Sequence, residues 1–252
     1  MNKQYYGYLL AYLIGLSSVS FYANSTQKNE DAGISVTTVN QLTESEVRQG
    51  WRLLFDGKTT KGWHVYQKPD AASAWQAKDG TLSVDMKTSG VQHGDLATDQ
   101  EFENYELKFD WKTTSDGNSG VFINVKEKPE YLMAWQTGPE YQLLGQEHID
   151  YAKVSKRSGC LYGYSPQLTE TSVRQPGDWN QSVIKQVNGV VEFYLNGNLT
   201  ASVDLHSEQW QQWVSQSNFK DFPEFGIATR GKIVLQEWSS PVSFRNIKIR
   251  EL

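Results

Sequence analysis

The sequence holds one cysteine, Cys160, so no disulfide can close within the chain, and the stapling that small exported domains use is excluded. A lone cysteine in this setting is expected to be a small buried residue. There is no excess of positive charge: 24 Lys and Arg face 29 Asp and Glu, a net charge of -5 with both signs mixed along the chain. No basic stripe exists to neutralise a nucleic-acid backbone or anionic lipid headgroups, which removes nucleic acid as a partner. The apolar run at residues 8–19 is too short for a comfortable membrane span, so no stable membrane insertion is expected. A Ser-His-Asp elbow, a His-Glu-x-x-His zinc motif, a Walker loop and a dinucleotide fingerprint are all missing, and there is no internal repeat.

What is present begins with an export signal. Lys3 supplies positive charge, the uncharged run 8–19 follows, and small or polar residues come after Ala23, which sets the expected cleavage point and a periplasmic or extracellular location. Residues 24–48 are polar without sustained periodicity and read as a leader or linker, and the folded domain is expected over 49–252. That domain is rich in aromatics, with 9 Trp, 13 Tyr and 10 Phe in the chain, as suits half-buried pleated surfaces.

Period-two alternation recurs between turn dipeptides. Tyr105, Leu107, Phe109 and Trp111 point one way and Glu106, Lys108 and Asp110 the other. Residues 75–84 turn at Asp79-Gly80, and Asn188-Gly189 and Asn196-Gly197 mark two successive hairpins, because both residues of such a turn tolerate positive φ. Near the end, Val242 and Phe244 alternate in one phase and Ile247 and Ile249 in the other, which predicts a bulge at Asn246. The one helix expected is a connector over 207–214, capped by Ser207 with Trp210 and Val214 on one face. About a dozen strands with no βαβ rhythm predict an all-β, two-sheet antiparallel sandwich of jelly-roll type.

The chemistry concentrates at residues 135–150. If 140–144 is a strand, Tyr141 and Leu143 face the core and Glu140 and Gln142 share the opposite face, where an acid and an amide can meet one sugar; a solvated outer face is the plainer alternative. His148 and Asp150 follow in a loop, able to join Glu140 as an acid/base pair or as ligands of a divalent metal ion. A conventional glycosidase needs two carboxyl groups flanking the bond, yet the next positions on this face are Gln142 and Leu144, which disfavours ordinary double displacement here.

Several short motifs occur in order: Leu54-Phe55-Asp56-Gly57-Lys58 with Gly62-Trp63, Gly117-Asn118-Ser119-Gly120, Thr137-Gly138-Pro139-Glu140-Tyr141-Gln142, Gly177-Asp178-Trp179-Asn180, Leu195-Asn196-Gly197 and Phe244-Arg245-Asn246-Ile247. Together they resemble the 3-keto-disaccharide hydrolase domain family over about residues 50–252. The resemblance implies a concanavalin A-like jelly roll with a sugar site in the groove of its concave sheet, in an enzyme that cleaves 3-oxo glycosides. A ketone at C3 acidifies the C2 hydrogen, so one base can remove it while the C1 substituent leaves, with rehydration (net hydrolysis) or without it (lyase). On that reading Glu140 or His148 is the base. The enolate is held by a divalent metal on some of Glu140, His148 and Asp150, or by Gln142 with water, while Asp95, Asn118, Trp135 and Tyr162 hold the sugar. The chain departs from the family where it carries Phe193, Lys232 and Trp238 in place of common histidines, and Gly145 in place of a common Asp. A non-catalytic, lectin-like carbohydrate-binding domain is the competing expectation.

Overall fold

The computed structural model describes residues 38–252 apart from residues 85 and 239; the expected signal segment and most of the polar leader lie outside the described residues. In chain order the strands are β1 Arg52–Leu53, β2 Trp63–Val65, β3 Trp75–Lys78, β4 Thr81–Val84, β5 Leu96–Phe102, β6 Tyr105–Thr113, β7 Asn118–Val125, β8 Glu140–Leu144, β9 Asn180–Val187, β10 Val190–Leu195, β11 Asn198–Asp204, β12 Gly231–Leu235 and β13 Val242–Glu251. Two helices accompany them, α1 Glu44–Arg48 and α2 Glu208–Gln216. One sheet has eight strands in the order β11-β10-β9-β6-β13-β4-β3, with β1 also on β13, and the other has five in the order β2-β5-β12-β7-β8. Every pairing between these strands is antiparallel, and neighbours distant in sequence alternate with hairpins. This is a concanavalin A-like jelly-roll sandwich, open at its edges.

The turns form where the sequence placed them. Asn188 and Gly189 adopt φ of 49° and 80°, Asn196 and Gly197 of 48° and 89°, the left-handed backbone that these dipeptides supply at least cost. Asn246, at φ 52°, sits where the β13–β6 register slips between Arg245 and Lys248, so the phase change in the sequence is a bulge. Ser207 caps α2, its Oγ accepting from the Trp210 N–H at 3.2 Å.

The core lies between the sheets. Leu107, Phe109, Trp111 and Phe244 of the larger sheet meet Val121, Ile123, Tyr141, Leu143, Ile233 and Leu235 of the smaller one, all essentially without exposure. Tyr141 crosses the sandwich: its ring packs edge-on against Phe109 at 5.7 Å and Phe193 at 4.9 Å, and its hydroxyl bonds Ser182 Oγ at 2.7 Å and donates to Tyr194 O at 3.0 Å. Cys160 is buried as expected, and burial pushes its thiol up to about 11.

The described residues before the expected start at 49 belong to the same compact unit as the rest. Thr43 and Glu46 make a reciprocal capping box that starts α1, and Asn40 exchanges hydrogen bonds with Asn246 at 2.6 and 2.8 Å. The Thr-x-x-Glu spacing is legible in the sequence, but a five-residue helix has no periodicity to draw attention to it.

Candidate active site

Tyr141, anchored in the core, fixes the register of β8, and alternation does the rest. Tyr141 and Leu143 enter the core, so Glu140 and Gln142 stand on the outer face of the five-stranded sheet, as the sequence predicts. Beside them β7 presents Gly120, which pairs with Gln142, and the chain beyond β12 presents Gln236, whose N–H donates to Gly120 O at 2.9 Å. A Cβ at Gly120 would coincide with the Glu140 carboxyl group, so that side chain leans over the glycine, towards the centre of the sheet. Residues 159–162 run along the free edge of β8: Gly159 N donates to Gln142 O at 2.9 Å and Tyr162 N to Glu140 O at 3.0 Å.

These elements enclose a cavity of about 260 Å³. Its polar wall is formed by Asn118, Glu140, Gln142, His148, Asp150 and Gln236. Trp135, Tyr162, Phe219 and Trp238 supply the aromatic surface. Trp135 leans on Phe222 at 4.8 Å and Phe219 at 6.4 Å, and Phe219 stacks on Phe225 at 3.9 Å and continues to Trp213 of α2 at 5.8 Å. The helix expected as a mere connector therefore buttresses one wall of the site.

The charges are unevenly matched. Burial raises the Glu140 carboxyl well above the ordinary carboxylate range; nearby Asp95 adds to the rise and Lys156 opposes it. No side chain donates a hydrogen bond to Glu140 among the described residues. Asp150, by contrast, is held by Lys153 at 3.1 Å and Lys156 at 3.2 Å. His148 caps the short 3₁₀ turn 149–152 with Nδ1 accepting from the Asp150 N–H at 3.1 Å, so the neutral ring carries its proton on Nε2 and is a donor there. Gln142 donates to Asn118 Oδ1 at 2.8 Å and to the carbonyls of Ser119 and Leu143 at 3.1 and 3.2 Å.

Of the residues singled out in the sequence, Glu140, Gln142, His148, Asp150, Asn118, Trp135 and Tyr162 converge on this cavity. Asp95 does not line it: its buried carboxyl accepts from the Glu237 N–H at 2.9 Å and acts on Glu140 through its charge. Gln236, Phe219 and Lys156 were not anticipated, since they lie on stretches without a period that would have flagged them. Among the described residues no three His, Cys, Asp or Glu side chains are placed to hold a metal ion. As a ligand set Glu140, His148 and Asp150 fit poorly, because Asp150 is engaged by two ammonium groups and His148 Nδ1 by a backbone N–H. Of the departures noted above, Phe193 lies in the core away from the site, Lys232 donates to Thr98 O at 2.8 Å and pairs with Glu127 at 3.4 Å, and Trp238 is in the cavity wall.

Residues 50–250 match the 3-keto-alpha-glucoside-1,2-lyase-like domain. The chain belongs to that family. Across 269 aligned residues it is 28% identical to a 3-keto-disaccharide hydrolase of Bacteroides thetaiotaomicron, covering 91% of each protein. A candidate glycosyl hydrolase from Parabacteroides distasonis, solved by crystallography, superposes with a TM-score of 0.76 at 34% identity, over 85% of this chain and 100% of that one. A second from the same organism gives 0.63 at 27% identity, over 80% and 99%. Membership of the 3-keto-alpha-glucoside-1,2-lyase-like family makes this protein a carbohydrate-active enzyme, and the cavity on the outer face of β7 and β8 is the site its geometry offers.

Proposed function

We propose that the protein is an exported enzyme that cleaves 3-keto glycosides or disaccharides by elimination, with or without rehydration of the product. The carrying observation is Glu140, a carboxyl with a raised pKa and no hydrogen-bond donor, facing a cavity lined by amides and aromatic rings. As carboxylate it takes the C2 proton, and the electron pair forms the enolate on the C3 oxygen. Collapse of the enolate restores the ketone, forms the C1–C2 double bond and expels the C1 substituent, which takes up the proton from Glu140. Addition of water would complete a net hydrolysis. His148, a wall residue of the cavity with Nε2–H, is the donor to the developing enolate oxygen on this reading, a role a neutral imidazole fills well. No second carboxylate is required, which agrees with Gln142 and Leu144 at the alternating positions of β8 and with Asp150 bound to two lysines. Trp135, Tyr162 and Trp238 supply surfaces on which a sugar ring can stack.

The test is incubation of the purified protein with α- and β-linked 3-keto disaccharides, with and without chelator, following released sugar by chromatography. Release is expected from the wild-type protein and is expected to fall by at least about a hundredfold in Glu140→Gln, the usual scale for loss of a general base. Saturable binding without release would favour the lectin-like reading, and full activity in Glu140→Gln would remove its assignment.

A further inference from the structure

Three amides line the cavity, and two of them satisfy each other. Gln142 Nε2 donates to Asn118 Oδ1 at 2.8 Å and to two backbone carbonyls besides. Gln236 is different. It is 8% exposed, and its Oε1 is buried with no hydrogen-bond partner. Native proteins leave few buried acceptors in this state, and each costs about 1–3 kcal/mol.

The backbone around Gln236 is held on both sides. Its N–H donates to Gly120 O and its carbonyl accepts from Ser119 Oγ, both at 2.9 Å. The next residue, Glu237, donates its N–H to Asp95 Oδ1 at 2.9 Å, while its carboxylate accepts from Gly94 N at 2.7 Å and pairs with His93. Two segments thus clamp each other reciprocally and fix the Gln236 backbone beside Gly120, the residue over which Glu140 lies. Gln236 is a wall residue of the cavity, so a small turn of its amide brings Oε1 to face a ligand seated there.

We propose that Gln236 is the specificity-determining residue of this site: its Oε1 accepts a hydrogen bond from one hydroxyl of the sugar ring that carries the scissile bond. The inference rests on the carbohydrate part of the reading above and not on the elimination chemistry. The bond is worth more than an ordinary one because Oε1 gives up no protein hydrogen bond when the sugar arrives. A sugar lacking that hydroxyl leaves the acceptor as it was and forfeits the whole gain.

The experiment pairs Gln236→Met, which keeps the length and volume of the side chain, with 3-keto glycosides lacking the hydroxyl at C2, C4 or C6 in turn. For the wild-type protein one of the three deoxy compounds is expected to lose about ten- to a hundredfold in kcat/KM. Gln236→Met is expected to lose a similar factor on the parent compound and to treat that one deoxy compound no worse than the parent. Its thermal midpoint should be unchanged or higher, since the replacement removes an unsatisfied polar atom. Wild-type kcat/KM in Gln236→Met, or equal discrimination by both proteins at every position, would overturn the proposal. So would a drop of several degrees in the midpoint, which would make the amide a structural group. A shifted pH profile with no coupling to any substrate hydroxyl would identify the missing donor as the protonated Glu140 carboxyl and would also overturn it. If the wild-type protein binds these sugars without cleaving them, the elimination reading fails by itself. Equilibrium affinities for the same panel then decide the role of Gln236 in the same way.

Discussion

Asp95 is a buried carboxyl that bears on both stability and the proposed chemistry. Burial pushes its pKa up to about 7; the hydrogen bond from the Glu237 N–H works against the rise and the Glu237 charge adds to it. In the unfolded chain the same group titrates near 3.8, so between those values the folded protein binds the extra proton. What Asp95 contributes to stability is therefore most favourable below about pH 4, becomes less so as pH rises towards 7, and is lower by as much as ~4 kcal/mol beyond it. Asparagine keeps the acceptor for the Glu237 N–H and removes the charge. Asp95→Asn is expected to flatten this slope, so that urea unfolding at pH 5 and pH 8 gives more nearly equal stabilities than in wild type. A parallel slope in both proteins would mean that Asp95 is ionised in the fold without cost. The same substitution reaches the site, because Asp95 raises the Glu140 pKa and Lys156 lowers it. In the proposed mechanism Glu140 acts as carboxylate, so activity is expected to rise with pH through its raised pKa. That limb is expected to move to lower pH in Asp95→Asn and to higher pH in Lys156→Met, which a profile of kcat/KM against pH would read.

At the scale of elements, the site depends on two adjacent strands and a missing side chain. Gly120 has an ordinary negative φ, and what it provides is space: a Cβ there meets the Cγ, Cδ and Oε1 of Glu140. Because those atoms are the far end of a flexible side chain, the fold can accommodate alanine by turning Glu140 aside. Gly120→Ala is accordingly expected to stay folded, with a thermal midpoint within a few degrees of wild type, and to lose about a hundredfold in turnover, as displacement of a catalytic group by about 1 Å commonly does. Near wild-type turnover would show that the Glu140 position over Gly120 is not the productive one. The sequence made β8 legible because a period of two needs only Tyr141 and Leu143 on the core side to put Glu140 and Gln142 on the other. It made the Asn-Gly hairpins and the Asn246 bulge legible for a similar reason, since positive φ restricts the residue choice. Gly120 resisted this treatment: it reads as the end of a turn-rich stretch, and its use appears only once Glu140 is laid across it from the next strand. Gln236 and Trp238 resisted it too, because they follow β12 in an extension whose place is set by contacts with residues 93–95, far away in the chain. The aromatic wall behind Trp135 draws on the segment after α2, and no local pattern announces that Phe219 and Phe222 will meet a tryptophan more than eighty positions earlier.

At the scale of the whole molecule, the proposed chemistry has to be placed in a compartment. The described residues contain no helix long and apolar enough to cross a membrane, and the N-terminal pattern of a charged residue, the apolar run 8–19 and a small residue at Ala23 is that of a cleaved export signal. We propose that the protein leaves the cytoplasm and that the mature chain starts at Asn24. The absence of any disulfide agrees with either compartment, so the prediction stands on the signal alone. When the full chain is expressed in a bacterial cell, fractionation is expected to recover it outside the cytoplasm with an intact mass corresponding to removal of residues 1–23. Placing a charge in the middle of the apolar run, as in Leu13→Arg, interrupts the segment the export machinery reads and is expected to leave an unprocessed chain in the cytoplasm. The substitution lies far before the described residues of the compact unit, so the retained protein should still cleave its substrate in a lysate. Recovery of unprocessed wild-type chain from the cytoplasm would refute export, and it would move the search for the 3-keto substrate to sugars already taken into the cell.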